Sequence, residues 1–197
     1  MFTRAAGAVA RRADYLSELD MAGDADFGVS ISKGFDLVLD RLSREGDLDV
    51  GRVLAVAGDT FSMEVGSTIA VLFGSALTEA GKAMEGRRTL DAGGLATILK
   101  AMLAAVKTAG GAAVGDKTLL DALEPAALAA AASAAEGGGL GRGLAAAASA
   151  AEAGSDSTAG MVAKVGRASY IGERSRGRVD PGAAFIALFL RSMSRVE

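Results

Sequence analysis

The 197-residue sequence contains neither cysteine nor histidine. Without cysteine, disulfide bonds, zinc-thiolate sites and cysteine nucleophiles are excluded. Without histidine, the chain cannot supply a Ser-His-Asp triad, a histidine general base or a histidine covalent intermediate. No residue of this chain is assigned as catalytic.

Aromatic residues are also scarce: they make up 5% of the chain, although 50% of its residues are hydrophobic. We expect alanine, leucine and valine to form the core, with small side chains that let helices approach closely. No apolar run reaches the roughly 18 residues of a membrane helix. The net charge of −3 argues against binding to nucleic acid or to an anionic membrane. A single cytoplasmic domain over residues 1–197 is the expectation.

Apolar residues recur at three- and four-residue spacing, and no segment alternates convincingly at strand spacing. The pattern predicts an all-α protein of eight helices. These cover residues 2–19, 28–44, 49–62, about 66–84, a segment from a cap at Thr89 or Asp91 to Thr108, 119–135, 140–164, and 181 onward. Short connections make sequential helices antiparallel neighbours, so we expect an antiparallel bundle or helical barrel.

The chain has only two prolines, and each marks a feature of the predicted helices. Pro125 lies inside the sixth helix and predicts a kink or a restart there. Pro181 follows Asp180, which is the usual order of an N-cap and a first helical residue. Between these positions, residues 166–179 are basic and marked by glycines, too irregular for a helix. A long loop in such a compact domain is often functional.

Three aspartates crowd into seven residues between two long helical patterns: Asp20, Asp24 and Asp26, beside Gly23 and Gly28. Like charges repel, and a bound cation usually offsets that repulsion. Oxygen ligands alone suit a hard ion, Mg²⁺ or Ca²⁺, and Mg²⁺ keeps positions open for substrate phosphates. The stretch predicts a magnesium-nucleotide site. The alternative is a polar turn whose aspartates cap helices.

Two further stretches are candidates for binding phosphate. Ser67 and Thr68 stand at a predicted helix start, where hydroxyls and backbone N–H groups can meet an anion, although an ordinary helix cap explains them equally well. Arg167 and Arg174 lie in the polar segment 166–175 and could offer planar guanidinium groups to phosphate. Pairing of these arginines with nearby carboxylates is the alternative, and the length of the loop favours a functional role.

Two motif matches are rejected. Residues 110–118 read Gly-x4-Gly-Asp-Lys-Thr, which approaches a phosphate-binding P-loop, but an extra Asp precedes the Lys and no strand precedes the glycine. Asp26-Phe27-Gly28 copies the magnesium triplet of protein kinases without its catalytic-loop partner. Its aspartate could still bind magnesium.

Four separated pieces of the chain together resemble the L subunit of dihydroxyacetone kinase, the nucleotide-binding component known as DhaL. The pieces are Leu19-Asp20 with 23–26 (Gly-Asp-Ala-Asp), 72–74 (Leu-Phe-Gly), 115–118 (Gly-Asp-Lys-Thr), and 166–175 with Asp180-Pro181-Gly182. They occur in the family's order, and the similarity spans about residues 10–192. The last piece is highly specific.

The resemblance implies an antiparallel eight-helix barrel with ADP or ATP and two Mg²⁺ ions at one end. It implies metal binding by Asp20, Asp24 and Asp26. The residues that it places around the nucleotide are Phe27, Gly28, Val29, Ser30, Ser67, Thr68, Ile69, Gly110, Leu119, Arg167, Asp180, Pro181 and Gly182. Within this set, Ser67 and Thr68 would donate hydrogen bonds to phosphate, and Arg167 would reach the nucleotide.

The sequence departs from the family pattern at three places. One residue is missing between Asp20 and Gly23, and removing a residue at a helix end turns what precedes it by about 100°. Asp20 is therefore expected to point away unless the turn compensates. Phe27 stands where the family usually has histidine. The phosphate loop, usually Gly-Gly-Ala-Ser, reads here as Gly66-Ser67-Thr68-Ile69.

The resemblance also implies partners. The acceptor would sit on a separate K-type subunit that binds dihydroxyacetone through a histidine, and in some relatives an M-type phosphotransferase-system subunit rephosphorylates bound ADP. A homo-oligomer is compatible with this arrangement. The leading interpretation is a phosphoryl-donor subunit of a small ketose or polyol kinase. Two alternatives stay open: a noncatalytic relative that binds a regulator or partner, and a kinase for another ketose such as erythrulose.

Overall fold

The computed structural model describes residues 1–20 and 22–194. Within these ranges there is no β-strand, and the α-helices are α1 (Phe2–Ala10), α2 (Ala13–Leu19), α3 (Phe27–Arg44), α4 (Val50–Glu64), α5 (Thr68–Ala83), α6 (Ala92–Gly110), α7 (Leu120–Ala135), α8 (Leu140–Ser157) and α9 (Pro181–Ser194). The segment between α8 and α9, residues 158–179, is called the basic arm. It contains 3-10 turns at Thr158–Gly160 and Arg167–Ser175.

The helices form a closed ring. From α3 to α9 each helix packs on the next, and α1 and α2 together fill the space between α9 and α3. The ring therefore has eight walls, one of them made of two short helices. Glycine contacts show the direction: Gly51 faces Gly81 while Gly58 faces Gly74, so α4 and α5 run antiparallel. The predicted antiparallel eight-helix barrel is confirmed.

Phenylalanine fills the barrel, contrary to the expectation that only small and aliphatic residues would form the core. All seven phenylalanines of the chain join one network of ring contacts, with Phe35, Phe73 and Phe185 at its centre. The Phe73 and Phe185 rings meet edge to face with centroids 4.9 Å apart. Alanine and leucine pack around this network, so few aromatic residues suffice because all of these point inward.

Glycine sets the distance between α4 and α5. Gly51 and Gly58 on α4 face Gly81 and Gly74 on α5, and each pair is reciprocal. A Cβ on Gly58 would lie 2.7 Å from the Gly74 carbonyl oxygen, and a Cβ on Gly74 would lie 2.6 Å from the Gly58 carbonyl oxygen. The two backbones are therefore in direct contact, an approach that any side chain at these positions would block.

Four details differ from the expected helices. The first helix breaks at Arg11–Arg12, which lets α1 and α2 both pack on α3 and α9. The α7 helix continues through Pro125 without a restart. The α8 helix ends at Ser157 rather than at residue 164. The basic arm is not an irregular loop throughout, since 3-10 turns cover Arg167–Ser175 with a non-helical Gly172 between them.

One helix is longer and more apolar than expected. The 19 residues of α6 have a mean hydropathy of 1.3 over an 18-residue window, which by length and composition is enough to cross a membrane. The expectation that no segment reaches this length is therefore wrong. A core helix passes the same test, and α6 packs between α5 and α7 with Leu95, Leu99 and Met102 buried.

Each end of the barrel holds a cavity. Where α1, α4 and α6 begin, a cavity of about 260 Å³ is lined almost entirely by apolar side chains, among them Phe2, Leu54 and Met102. At the other end, a larger cavity of about 420 Å³ carries polar and charged groups from several helix starts and from the basic arm. The clustered aspartates lie at this second end of the barrel.

Replacing Gly58 with alanine should destabilise the fold, because the added methyl would press on the α5 backbone. We expect a loss of about 1–3 kcal/mol in unfolding free energy, typical of overpacking. Urea unfolding followed by circular dichroism measures this loss. Gly141→Ala is the matched control, since Gly141 lies in α8 with open space where the methyl would be added, and alanine there should be neutral or stabilising by up to about 1 kcal/mol. Equal effects of the two substitutions would contradict the close contact of α4 and α5.

Asp180 makes fold stability depend on pH. Its Oδ2 accepts a hydrogen bond from the Ala183 amide, 2.8 Å away, and so caps α9. Burial raises the pKa of Asp180 from 3.8 to about 7, more than the Ala183 amide and the Lys117 charge lower it. Because its pKa is higher in the folded protein than in the unfolded chain, the protonated carboxyl stabilises the fold. This contribution is complete below about pH 4 and is lost as the pH rises through 7.

Asp180→Asn should remove this pH dependence, because an amide keeps the cap and cannot ionise. Relative to the wild type, the variant should gain on the order of 1 to 3 kcal/mol in unfolding free energy between pH 4 and pH 8. Urea unfolding at both pH values tests the expectation, with the exposed Asp47→Asn as control. A constant difference between Asp180→Asn and the wild type across this range would contradict it.

Candidate functional site

Four helices begin at the larger cavity. Because neighbours alternate in direction, α3, α5, α7 and α9 all present their N-termini at this end of the barrel. Their first residues line it: Phe27 of α3, Thr68 of α5, Leu120 of α7 and Pro181 of α9. A helix N-terminus has amides without intrahelical partners and the positive end of the helix dipole. The cavity is therefore suited to a negatively charged ligand.

The three aspartates meet at the rim of this cavity. One carboxylate oxygen from each of Asp20, Asp24 and Asp26 lies within 4.8 Å of the other two. The turn thus compensates for its missing residue, and Asp20 does not point away. Gly23 makes this possible, because a Cβ there would collide with the Asp20 carboxylate. Asp20 is 9% exposed, whereas Asp24 and Asp26 are exposed.

Arg167 reaches across from the basic arm to this cluster. Its guanidinium pairs with the Asp24 carboxylate and, at 3.3 Å, with Oδ2 of Asp20. Burial raises the pKa of Asp20, the Arg167 charge opposes that rise, and Asp24 and Asp26 add to it. Arg167 is thus the cation that partly offsets the crowding of the carboxylates. It does not pair with Glu173 or Asp180; Arg176 pairs with Glu173 instead.

The stretch that departs from the family's phosphate loop, residues 66–69, lies at the start of α5 beside the larger cavity. Ser67 is the N-cap, and its Oγ accepts a hydrogen bond from the Ala70 amide at 3.4 Å. The ordinary cap role is therefore present. Ser67, Thr68 and Ile69 also line the cavity, so the free amides of this first turn are available to an anion.

Most of the residues expected around the nucleotide line the cavity. These are Phe27, Ser67, Thr68, Ile69, Gly110, Leu119, Arg167, Asp180, Pro181 and Gly182. Gly28, Val29 and Ser30 lie outside the lining. The Gly28 amide donates to Ser17 Oγ at 3.0 Å, Val29 is 58% exposed, and Ser30 Oγ donates to Asp26 Oδ2 at 3.1 Å.

Two charged residues of the lining, Lys117 and Arg178, were not among the predicted site residues. Lys117 is 4% exposed, and its ammonium donates to backbone carbonyls of the basic arm. Arg178 donates to the Glu18 carbonyl oxygen at 3.1 Å and joins the end of the arm to α2. The sequence marked Lys117 only as part of the 115–118 motif, which fails as a P-loop but belongs to the family resemblance.

The donor set fits magnesium. Carboxylate oxygens are the ligands that Mg²⁺ prefers, and two ligands of one ion lie at most about 4.2 Å apart at Mg–O distances near 2.1 Å. Spacings within 4.8 Å are close to that limit. Because Asp24 and Asp26 are exposed, small side-chain movements can bring the oxygens together. The aspartates would hold the ion at the rim of the cavity, beside the N-terminus of α3, which Asp26 precedes.

The DAK2 domain family matches residues 21–195. The ADP-binding subunit DhaL of the PEP-dependent dihydroxyacetone kinase of Escherichia coli K12 is 34% identical over 193 residues, covering 98% of this chain and 92% of that protein. The L-erythrulose kinase of Pectobacterium atrosepticum is 32% identical over 178 residues, covering 89% of this chain and 30% of that protein. These two relatives are a kinase subunit and a kinase.

Solved structures give the same result. The crystal structure of the dihydroxyacetone kinase of C. freundii in its native form superposes with a TM-score of 0.78 at 26% identity, and its complex with AMP-PNP and Mg²⁺ gives 0.74 at 25%. Each comparison covers all of this chain and 33% of the other. The chain therefore belongs to the DAK2 domain family and is a relative of the ADP-binding DhaL subunits of dihydroxyacetone kinases.

Proposed function

We propose that this protein is the phosphoryl-donor subunit of a kinase for a small ketose or polyol of the dihydroxyacetone type, and that it binds ATP or ADP with Mg²⁺. The observation that carries the proposal is the cluster of Asp20, Asp24 and Asp26 at the rim of a cavity of about 420 Å³ where four helices begin. The clustered carboxylates suit a divalent cation, and the helix N-termini suit phosphate.

Different residues of the chain would bind different parts of the magnesium nucleotide. The carboxylates of Asp20, Asp24 and Asp26 would hold magnesium, which when bound neutralises phosphate charge during transfer. The first-turn amides of α5 and the hydroxyl of Thr68 would orient the phosphates. Arg167 would contact the phosphates once the metal takes its carboxylate partners. The apolar lining, including Ile69 and Leu119, would cover the base and ribose.

The acceptor would be held by another subunit. The sequence has no histidine to bind a ketose covalently, so the proposal includes a separate K-type subunit that covers the open end of the barrel. Rephosphorylation of bound ADP by an M-type phosphotransferase-system subunit, a homo-oligomeric state, a cytoplasmic location and a single domain over residues 1–197 belong to the same proposal. The relation to the L-erythrulose kinase supports a ketose acceptor class wider than dihydroxyacetone.

A noncatalytic binding protein is the competing function. Its support is the altered phosphate loop, where the Ser67 hydroxyl already caps α5 and the branched side chain of Ile69 follows Thr68. Retention of the three clustered aspartates and of Arg167 beside them favours the kinase subunit instead. The two functions differ in whether a phosphoryl group leaves the bound nucleotide.

ADP binding should require magnesium and the exposed aspartates. We expect heat of binding for ADP with Mg²⁺ and much less after chelation. Asp24→Asn and Asp26→Asn should each weaken binding by at least about tenfold, since losing even an outer-shell partner of a metal site costs 10–100-fold. Isothermal titration calorimetry gives the affinities.

Asp47→Asn is the control, because Asp47 is an exposed acid that pairs with Arg88 in the α3–α4 connection. Its ADP affinity should match that of the wild type. No magnesium-dependent ADP binding by the wild type would end the nucleotide proposal. Binding without phosphoryl transfer to any acceptor subunit would favour the noncatalytic function.

Arg167→Gln should weaken binding of Mg-ADP, because a neutral amide replaces a guanidinium that can face phosphate. A hydrogen bond to a charged group contributes about 1.5–3 kcal/mol, so a loss of roughly tenfold to a hundredfold is expected. Arg174→Gln is the matched control, an exposed arginine of the same arm outside the cavity lining. Equal affinities of Arg167→Gln and the wild type would remove Arg167 from the nucleotide site.

A further inference from the structure

Lys117 holds an unusual position for a lysine. It is 4% exposed, and its backbone has a φ of 63°, in the left-handed region that favours glycine. Its Nζ donates three hydrogen bonds to backbone carbonyl oxygens: to Thr158 at 2.7 Å, Met161 at 3.2 Å and Arg178 at 2.6 Å. A strained backbone and a buried charge persist only where surrounding contacts hold them.

The ammonium has no donor left for a ligand. A lysine side chain carries three N–H donors, and backbone carbonyls accept all three. Lys117 therefore does not act as the lysine of a P-loop, although it stands in the sequence that resembles one. Its three partners lie at the two ends of the basic arm, Thr158 and Met161 at the beginning and Arg178 at the end.

The loop that carries Lys117 is itself fixed. The buried carboxylate of Asp121 accepts hydrogen bonds from the Gly115 amide at 2.6 Å and the Thr118 amide at 2.7 Å. Lys117 thus connects a rigid start of α7 to both ends of the arm. The same arm carries Arg167 to Asp20 and Asp24 at the rim of the cavity.

We propose that Lys117 is the positioning residue of the basic arm: by binding both ends of the arm, it sets where Arg167 lies at the aspartate cluster. This role deepens the proposed nucleotide function and rests on it for its consequence on binding. The position of the arm itself is independent of any nucleotide. Lys164 offers a matched comparison, because it lies in the arm and forms one exposed pair with Asp116 at 3.1 Å.

The position of the arm can be measured by spin labels in this cysteine-free chain. Cysteines replace Tyr170, 89% exposed in the arm, and Leu128, 63% exposed in the middle of α7. Electron double resonance should show a narrow distance distribution with Lys117 present. Lys117→Met should broaden or displace it, whereas Lys164→Met should leave it unchanged, since an exposed ion pair contributes little.

The consequence for nucleotide binding can be measured by a double-mutant cycle with calorimetry. Lys117→Met should weaken Mg-ADP binding by about 10–100-fold, as for other residues that position a binding group. In the Arg167→Gln background, the same substitution should change the affinity by less than about twofold, because its effect passes through Arg167. Additive losses would show that Lys117 acts by another route and would overturn the proposal.

The two measurements separate the possible failures. An unchanged spin-label distance in Lys117→Met, even with lower stability, would overturn the positioning role, and so would equal broadening in Lys164→Met. If the wild type does not bind Mg-ADP, the proposed function fails while the distance measurement still decides the role of Lys117. If Lys117→Met does not fold, Lys117→Gln replaces it, since its amide can satisfy at most two of the three carbonyls.

Discussion

Three carboxylates held within 4.8 Å of one another repel, and the larger end of the barrel is arranged around this repulsion. Burial of Asp20 adds to the cost of its negative charge, and burial is the main cause of the raised pKa of Asp20. The charge of Arg167 reduces the repulsion, and the positive ends of the nearby helices oppose it further. A divalent cation would offset it more fully than a guanidinium, because it brings two charges to the same oxygens.

The barrel creates this electrostatic arrangement through its alternating helix directions. In an even-walled antiparallel ring, half of the helices must start at each end. The end that receives α3, α5, α7 and α9 thus gains the positive ends of four helix dipoles. Suitability for an anion is in this sense a property of the architecture. In the proposed function, side chains such as Thr68 and Arg167 would then select the anion.

Local patterns account for what the sequence predicted well. Helix positions follow from apolar spacing, and the aspartates could be grouped because only six positions separate Asp20 from Asp26. No local pattern signals the break at Arg11–Arg12, since arginine is a good helix former. The break accompanies the packing of both α1 and α2 on α3 and α9. Composition likewise gave the number of phenylalanines but not their convergence on one interior, which depends on how all the helix faces meet.

Distant contacts were harder to predict. Arg167 lies 147 positions from Asp20. The polar segment 166–175 and the family resemblance made it a candidate for binding phosphate, but its pairing with the aspartates came from the structure. The 115–118 motif marked Lys117 but not its role, because its partners are backbone carbonyls, which any residue can supply. A side chain that binds backbone requires no complementary residue type elsewhere in the sequence, so no pattern of residues reveals it.

Backbone strain at non-glycine residues occurs beside the aspartate cluster and in the loop that holds the basic arm. In residues 1–20 and 22–194, the non-glycine residues with positive φ are Ala25, at 55°, and Lys117, at 63°. Ala25 separates Asp24 from Asp26, and Lys117 holds the arm that brings Arg167 to them. A left-handed conformation costs a non-glycine residue roughly 1–2 kcal/mol, so stability alone would favour glycine at both positions. Glycine at position 117 would remove the ammonium that holds the arm, which explains why the strain is retained there. Both strained residues therefore bear on the geometry of the same charged cluster.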